Sequence, residues 1–199
     1  MNIAILASGK GTNFNALAKA IDRGYIEANL KLLITDKEKA LVRKKAKNLG
    51  IKNEFVDPKK YKNRREFDRQ LVKLLKKERI NLIILAGYMR ILTPYFIKNF
   101  KNKIINIHPA LLPAFRGVDA IARAFDYGCK LTGVTIHFVN EKVDHGPIIL
   151  QKHLKILPGM HLKQLQEKIH RIEHKLYPLA IKLIQEGRIK INGRQVKIN

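Results

Sequence analysis

The sequence predicts an α/β fold, a mostly parallel central sheet with helices on both faces. Three observations point there. Short apolar runs alternate with stretches of helical periodicity, the pattern of βαβ units. Residues 82–86 are continuously apolar, as in parallel strands buried on both faces. A glycine-bearing turn, Ser8-Gly9-Lys10-Gly11-Thr12-Asn13, joins the first strand to the first helix.

Each element follows in order. Residues 2–7 form the first strand, and without a charged flank they do not read as a signal peptide. After the glycine turn, Phe14, Leu17, Ala18 and Ile21 recur at helical spacing. Residues 30–35 predict a second strand, and 38–49 a helix closed by Gly50. Residues 53–56 form a third strand, ended by the Asp57-Pro58 turn. A strongly periodic helix covers 64–79, and the fourth strand is 82–86. A short helix near 94–99 precedes a strand at 103–108. Residues 109–117 read as a loop, 119–128 as a helix and 132–139 as an alternating strand. A strand at 147–156 pairs antiparallel with it. Residues 160–187 make a long helix that Pro178 kinks or divides, and 190–198 a hairpin around Asn192-Gly193.

At 199 residues the chain reads as one domain, 1–199, with an N-terminal half of about 1–100 and a C-terminal half of about 101–199. No apolar stretch is long enough to span a bilayer. A single cysteine, Cys129, excludes an internal disulfide and implies cytoplasmic residence. The formal net charge is +24, from 40 Lys and Arg against 16 Asp and Glu. Such a balance attracts polyanions. The lysines are nonetheless spread over helical faces, with no compact basic tract, so nucleic acid is not the expected partner. A phosphorylated or polyglutamylated small molecule profits from the same field. No metal is expected: there is no cysteine cluster and no His pair flanked by carboxylates at ligand spacing.

Three segments carry chemistry. The Ser8-to-Asn13 turn offers backbone N–H groups and a helix N-terminus to an anion. It lacks both the dinucleotide spacing and the P-loop Lys-Ser/Thr, so a phosphate monoester suits it better than a dinucleotide. Asn106-Ile107-His108-Pro109 ends a strand, and period-two geometry aims Asn106 and His108 at the same face. Open α/β sheets bind ligands at this end of their strands. Asp144-His145-Gly146-Pro147-Ile148 places a carboxylate before a turn and a further strand. Of the other histidines, His137 reads as a satisfied core group, and His153, His161, His170 and His174 as bystanders.

Taken together, these pieces resemble the phosphoribosylglycinamide formyltransferase family, folate-dependent enzymes of purine biosynthesis. The resemblance runs through Ser8-Gly9-Lys10-Gly11-Thr12-Asn13, Leu85-Ala86-Gly87-Tyr88-Met89-Arg90-Ile91-Leu92 and Asn106-Ile107-His108-Pro109-Ala110-Leu111-Leu112-Pro113. It continues through Gly133-Val134-Thr135-Ile136-His137-Phe138-Val139, the segment from Val143 to Gln151, and Glu173-His174-Lys175-Leu176-Tyr177-Pro178. It implies a Rossmann-like formyltransferase fold, with phosphate binding in the N-terminal half and folate and catalytic functions in the C-terminal half. It implies formyl transfer from 10-formyltetrahydrofolate, as co-substrate, to glycinamide ribonucleotide, by a monomer or homodimer without membrane contact.

The implied catalytic trio is Asn106, His108 and Asp144. Gly11, Thr12 and Asn13 would hold the substrate phosphate, and Glu173 its glycinamide end. Arg64, Met89, Arg90, Ile91, Leu92 and Asn106 would meet the folate. Asn106 and protonated His108 would stabilise an oxyanion, while Asp144 keeps His108 protonated and assists proton transfer. The chain departs from the family pattern at Asp119 and Ile121, where a histidine is expected, and at His145, where a small residue is usual. Formyltetrahydrofolate hydrolase shares the trio but needs no phosphate cradle. Methionyl-tRNA formyltransferase, suggested by Arg116-Gly117 and the charge, needs a further domain. An RNA-binding module would leave the trio unexplained.

Overall fold

The computed structural model describes residues 1–199. Internal contacts divide the chain into two compact units, Met1–Ile105 and Asn106–Asn199.

The first unit begins with β1 (Asn2–Leu6), α1 (Thr12–Asp22) and β2 (Asn29–Thr35). Next come α2 (Leu41–Asn48), β3 (Asn53–Phe55), α3 (Arg64–Lys77), β4 (Leu82–Leu85) and α4 (Pro94–Asn99). β1 pairs in parallel with both β2 and β4, and β2 with β3. Ile5 therefore lies between Leu33 and Ile84, and all three are fully buried. This two-sided burial is why the strands read as continuous apolar runs.

α1 turns Phe14, Leu17 and Ala18 inward, the stripe its sequence spacing predicts. α3 starts where Asn63 caps it: the Asn63 side chain accepts from Glu66 N at 3.0 Å, and the Glu66 carboxylate accepts from Lys62 N. Such a cap is worth about 1 kcal/mol. α2 is shorter than the predicted 38–49. Lys37 N donates to the Thr35 hydroxyl and Ala40 N to the Lys37 carbonyl, so a turn takes up the residues before Leu41.

β5 (Ile104–His108) straddles the division between the units. The second unit then builds α5 (Ala120–Asp126), β6 (Leu131–Phe138), β7 (Ile148–Lys155) and α6 (Leu162–Gln185). β6 and β7 pair antiparallel, with Thr135 opposite Gln151 and a register shift at Ile136/His137. The pairing demands glycine at 133, where a Cβ would lie 2.2 Å from the Lys152 carbonyl oxygen. α6 runs unbroken through Pro178 and buries Leu165, Ile169, Tyr177 and Ile181. The chain ends in the hairpin β8 (Ile189–Asn192) and β9 (Gln195–Ile198), turned by Gly193 and Arg194. The seven strands of the main sheet take the order β3-β2-β1-β4-β5-β6-β7. The predicted mostly parallel α/β fold is what forms. No helix is long and apolar enough to cross a membrane.

Candidate active site

Strand alternation on β5 sends Asn106 and His108 to one side, and both reach the same carboxylate. The Asn106 amide donates from Nδ2 to Asp144 Oδ1 at 3.3 Å. His108 Nδ1 lies 3.3 Å from Asp144 Oδ2. The contact between His108 and Asp144, implied before only by resemblance, is thus present in the geometry.

His137 on β6 completes the cluster. Its Nε2 is 3.5 Å from Asp144 Oδ1 and 3.3 Å from Asn106 Nδ2. Its Nδ1 donates to the Phe138 carbonyl at 2.8 Å, so Nε2 is left to face the cluster. The sequence reading took His137 for a satisfied core group. It is buried, but its partners are the catalytic candidates, and only the strand register across the sheet could have revealed that.

The 109–117 loop lies over the trio. His108 Nε2 donates to the Phe115 carbonyl at 2.9 Å, and Gly117 N donates to Asp144 Oδ2 at 2.8 Å. Arg123 supports this loop by donating to the Arg116 carbonyl at 2.7 Å and by lying over the Phe115 ring.

Burial governs the protonation of the pair. It pushes the pKa of His108 below the ordinary histidine value. Asp144 and the Phe115 carbonyl push it back, without reversing the shift. The aspartate favours the imidazolium, as expected, while desolvation acts against it. Burial alone would raise Asp144 as well. The contact with His137, the Gly117 N–H and the charges of the two imidazoles together hold its carboxyl below the usual range. The Phe115 carbonyl can only accept, so a proton sits on His108 Nε2. Negative charge developing near Nε2 would draw a second proton onto the ring.

The remaining predicted residues divide between the units. Glu173 lies on α6 in the second, buried, with its carboxylate 3.0 Å from His170 Nδ1. Gly11, Thr12 and Asn13 stand in the first unit where α1 begins. Gly11 has φ +69°, and a Cβ there would lie 2.6 Å from Val42 Cγ2. Both the left-handed backbone and the crowding require glycine.

Arg64, Met89, Arg90, Ile91 and Leu92 also lie in the first unit. Met89 is 70% and Ile91 57% exposed, an unusual state for apolar side chains beside a buried Leu92. Asp68 fastens this segment by accepting from Thr93 N at 2.7 Å and Thr93 Oγ at 2.6 Å. Burial raises the Asp68 carboxyl, and these two bonds with the charges of Arg90 and Arg64 restrain the rise.

Ser8 joins the glycine turn to the 87–92 segment. Its hydroxyl donates to Asp36 Oδ1 at 2.6 Å and accepts from Met89 N at 3.0 Å, while Ser8 N donates to the Gly87 carbonyl. β1 and β4 are parallel neighbours, so the glycine turn and the 87–92 segment leave the sheet together at its carboxyl edge. Beside the turn, an open groove of about 550 Å³ is lined by Ser8, Gly9, Lys10, Lys37 and Lys39, among others. No group of three or more His, Cys, Asp or Glu is arranged to hold a metal ion.

Comparison with known proteins bears on this arrangement. A family model described as formyl transferase matches residues 1–181. Phosphoribosylglycinamide formyltransferase of Bacillus subtilis is 41% identical over 90% of this chain and 92% of its own length. The trifunctional purine biosynthetic protein adenosine-3 of Gallus gallus is 37% identical over 96% of this chain, which spans 19% of that longer protein. The crystal structure of glycinamide ribonucleotide transformylase 1 from Symbiobacterium toebii superposes with a TM-score of 0.97 at 40% identity, covering 100% of this chain and 93% of that one.

Proposed function

The chain belongs to the formyl transferase family, and we propose that it moves a formyl group from 10-formyltetrahydrofolate to the amine of glycinamide ribonucleotide, a step of purine biosynthesis. The observation that carries this reading is the convergence of Asn106 and His108 on one buried carboxylate, that of Asp144, at 3.3 Å each. The reading includes cytoplasmic residence, action as a monomer or homodimer, and the +24 charge serving anionic substrates rather than nucleic acid.

The residues suit both substrates. In the first unit, the Gly11 turn and the N-terminus of α1 offer N–H groups and partial positive charge to a phosphate, with Thr12 and Asn13 beside them. The exposed Met89 and Ile91 side chains give a flat heteroaromatic ring an apolar seat. Arg64 and Arg90 offer guanidinium groups to the folate carboxylates. In the second unit, Glu173 gives the substrate amine a carboxylate partner. 10-Formyltetrahydrofolate supplies the activated formyl carbon.

In the proposed transfer, the amine nitrogen bonds to the formyl carbon, the bond from that carbon to N10 breaks, and the amine proton passes to N10. Oxygen charge develops between the two events. Asn106 turns an N–H from His137 toward that oxygen and keeps the other on Asp144. His108 releases the Phe115 carbonyl and donates from Nε2 to the same oxygen. Removing one such donor typically costs roughly 3–4 kcal/mol of barrier. Asp144 relays the amine proton to His108 Nδ1, stabilises the imidazolium while it holds that proton, and the proton then passes to N10 as its bond to carbon breaks. Fixing both nitrogens about one carbon supplies a further share of the rate.

The test supplies purified protein with both substrates and follows tetrahydrofolate release. The wild type should turn over only when the amine is present. His108→Ala should stay folded and lose at least about a hundredfold in kcat. Turnover without the amine, or a fully active alanine variant, would overturn the reading.

A further inference from the structure

The segment that carries Asp144 is under unusual constraint. Asp144 itself has φ +48°, a left-handed conformation that a non-glycine residue adopts at a cost. Two residues on, Gly146 passes so close to β6 that a Cβ would lie 1.7 Å from the Phe138 carbonyl oxygen. Between them stands His145, where relatives were expected to carry a small residue. Something must hold this peptide in place, and the C-terminal hairpin reaches it. Arg194, in the β8–β9 turn, donates from Nη1 to the His145 carbonyl at 2.9 Å and to His145 Nδ1 at 2.9 Å. Asn140 Nδ2 makes a longer bond, 3.4 Å, to the same carbonyl.

We infer that Arg194 is a positioning residue: it clamps the His145 peptide, so that the Asp144 carboxylate is presented to His108, His137 and Asn106. An arginine fits the task because the two N–H groups of Nη1 can reach a carbonyl and a ring nitrogen from one side while the group remains charged at every working pH. An arginine N–H only donates, so Nδ1, at 2.9 Å, is the acceptor of the shorter contact, with Nε2 3.4 Å from the same Nη1. Arg194, Arg116 and Lys142 all disfavour a charge there, in the same direction as desolvation.

The role acts through Asp144. The charged and polar groups facing His108 are Asp144, the Phe115 carbonyl, His137 and Arg123, and Arg194 is not among them. Loosening the His145 peptide weakens the one carboxylate that favours the His108 imidazolium. Direct loss of a nearby cation would do the opposite. The two effects thus have opposite signs in a pH profile.

This inference rests on the formyl transfer proposed above, and the experiment separates the two. Wild type, Arg194→Ala, Arg194→Lys and His145→Ala are compared in kcat, KM and the pH dependence of kcat. Arg194→Ala should lower kcat on the order of tenfold, the scale of a misplaced catalytic group, with KM for glycinamide ribonucleotide within about twofold. Its His108-dependent limb should move to lower pH. Arg194→Lys keeps one donor for the carbonyl and should recover most of kcat and the limb. His145→Ala keeps the backbone carbonyl and should lose less than Arg194→Ala. A wild type that does not transfer formyl groups sinks the functional reading. An active wild type with an unchanged or upward-shifted limb in Arg194→Ala, or no recovery in Arg194→Lys, sinks the clamp alone.

Discussion

Replacing Asp144 by asparagine changes one atom's chemistry and leaves the shape nearly intact. The carboxylate side chain is 9% exposed and accepts from Gly117 N at 2.8 Å and Asn106 Nδ2 at 3.3 Å, with imidazole nitrogens at 3.3 and 3.5 Å. An amide has one acceptor. If its oxygen faces Gly117 and His108, its NH2 meets the Asn106 NH2, donor against donor, and the Asn106 N–H held by Asp144 loses its acceptor. A buried donor without an acceptor costs about 1–3 kcal/mol, and bonds to a neutral acceptor give up about another 1 kcal/mol relative to a charged one. Asp144→Asn should therefore lose about 2–4 kcal/mol of unfolding free energy. Its effect on rate is larger in kind. Without the carboxylate only the Phe115 carbonyl offsets the desolvation that depresses His108, so the imidazolium forms less readily as oxygen charge builds. We expect kcat to drop about 10²–10³-fold with KM changed only a few-fold, the pattern of an interaction made in the transition state. Urea unfolding measures the first quantity and steady-state tetrahydrofolate release the second. A variant within about threefold of wild-type kcat would refute the role given to the charge.

Two more outcomes follow from the geometry. Gly11→Ala must adopt φ near +69° with its Cβ against Val42, which combines about 1–2 kcal/mol of backbone strain with about 1–3 kcal/mol of crowding. A melting temperature lowered by roughly 5–15 °C is expected, and one unchanged within error would contradict the crowding. The depressed pKa of His108 makes a separate statement about pH. The fold prefers the neutral ring, so that stability is complete above the unfolded value near 6.5 and is lost as pH falls through it toward the folded value. Between about pH 8 and pH 5.5, the urea midpoint of the wild type should fall further than that of His108→Gln, and equal falls would show that His108 contributes no such linkage.

Much of this architecture was readable because local chemistry and tertiary burial agree. β1 and β4 are apolar throughout since both faces are covered, and α1 and α3 show their stripes since one face is. The 38–49 helix was overdrawn because the Thr35 hydroxyl competes for Lys37 N, a side-chain to backbone bond that periodicity does not register. Asn106 and His108 were legible as neighbours through the strand period alone. His137 was not, since its place beside Asp144 depends on strand register. Nor was Arg194, whose partner lies 49 positions away in a turn whose backbone follows from packing against Phe138. The desolvation at His108 was not legible in the sequence for a related reason: charge can be counted along a chain, whereas desolvation depends on everything folded around it.

Ser8 adds a thermodynamic corollary. Its hydroxyl holds Asp36 on one side and the Met89 amide on the other, so the turn proposed for a phosphate and the segment proposed for a folate share one anchor. A ligand that quiets either segment has already met part of the ordering entropy of the other. Linkage makes the benefit reciprocal: whatever factor the first ligand adds to the affinity of the second, the second returns to the first. On the assignment proposed above, a small serine just beyond β1 gives two chemically unrelated ligands a common stake in each other's arrival.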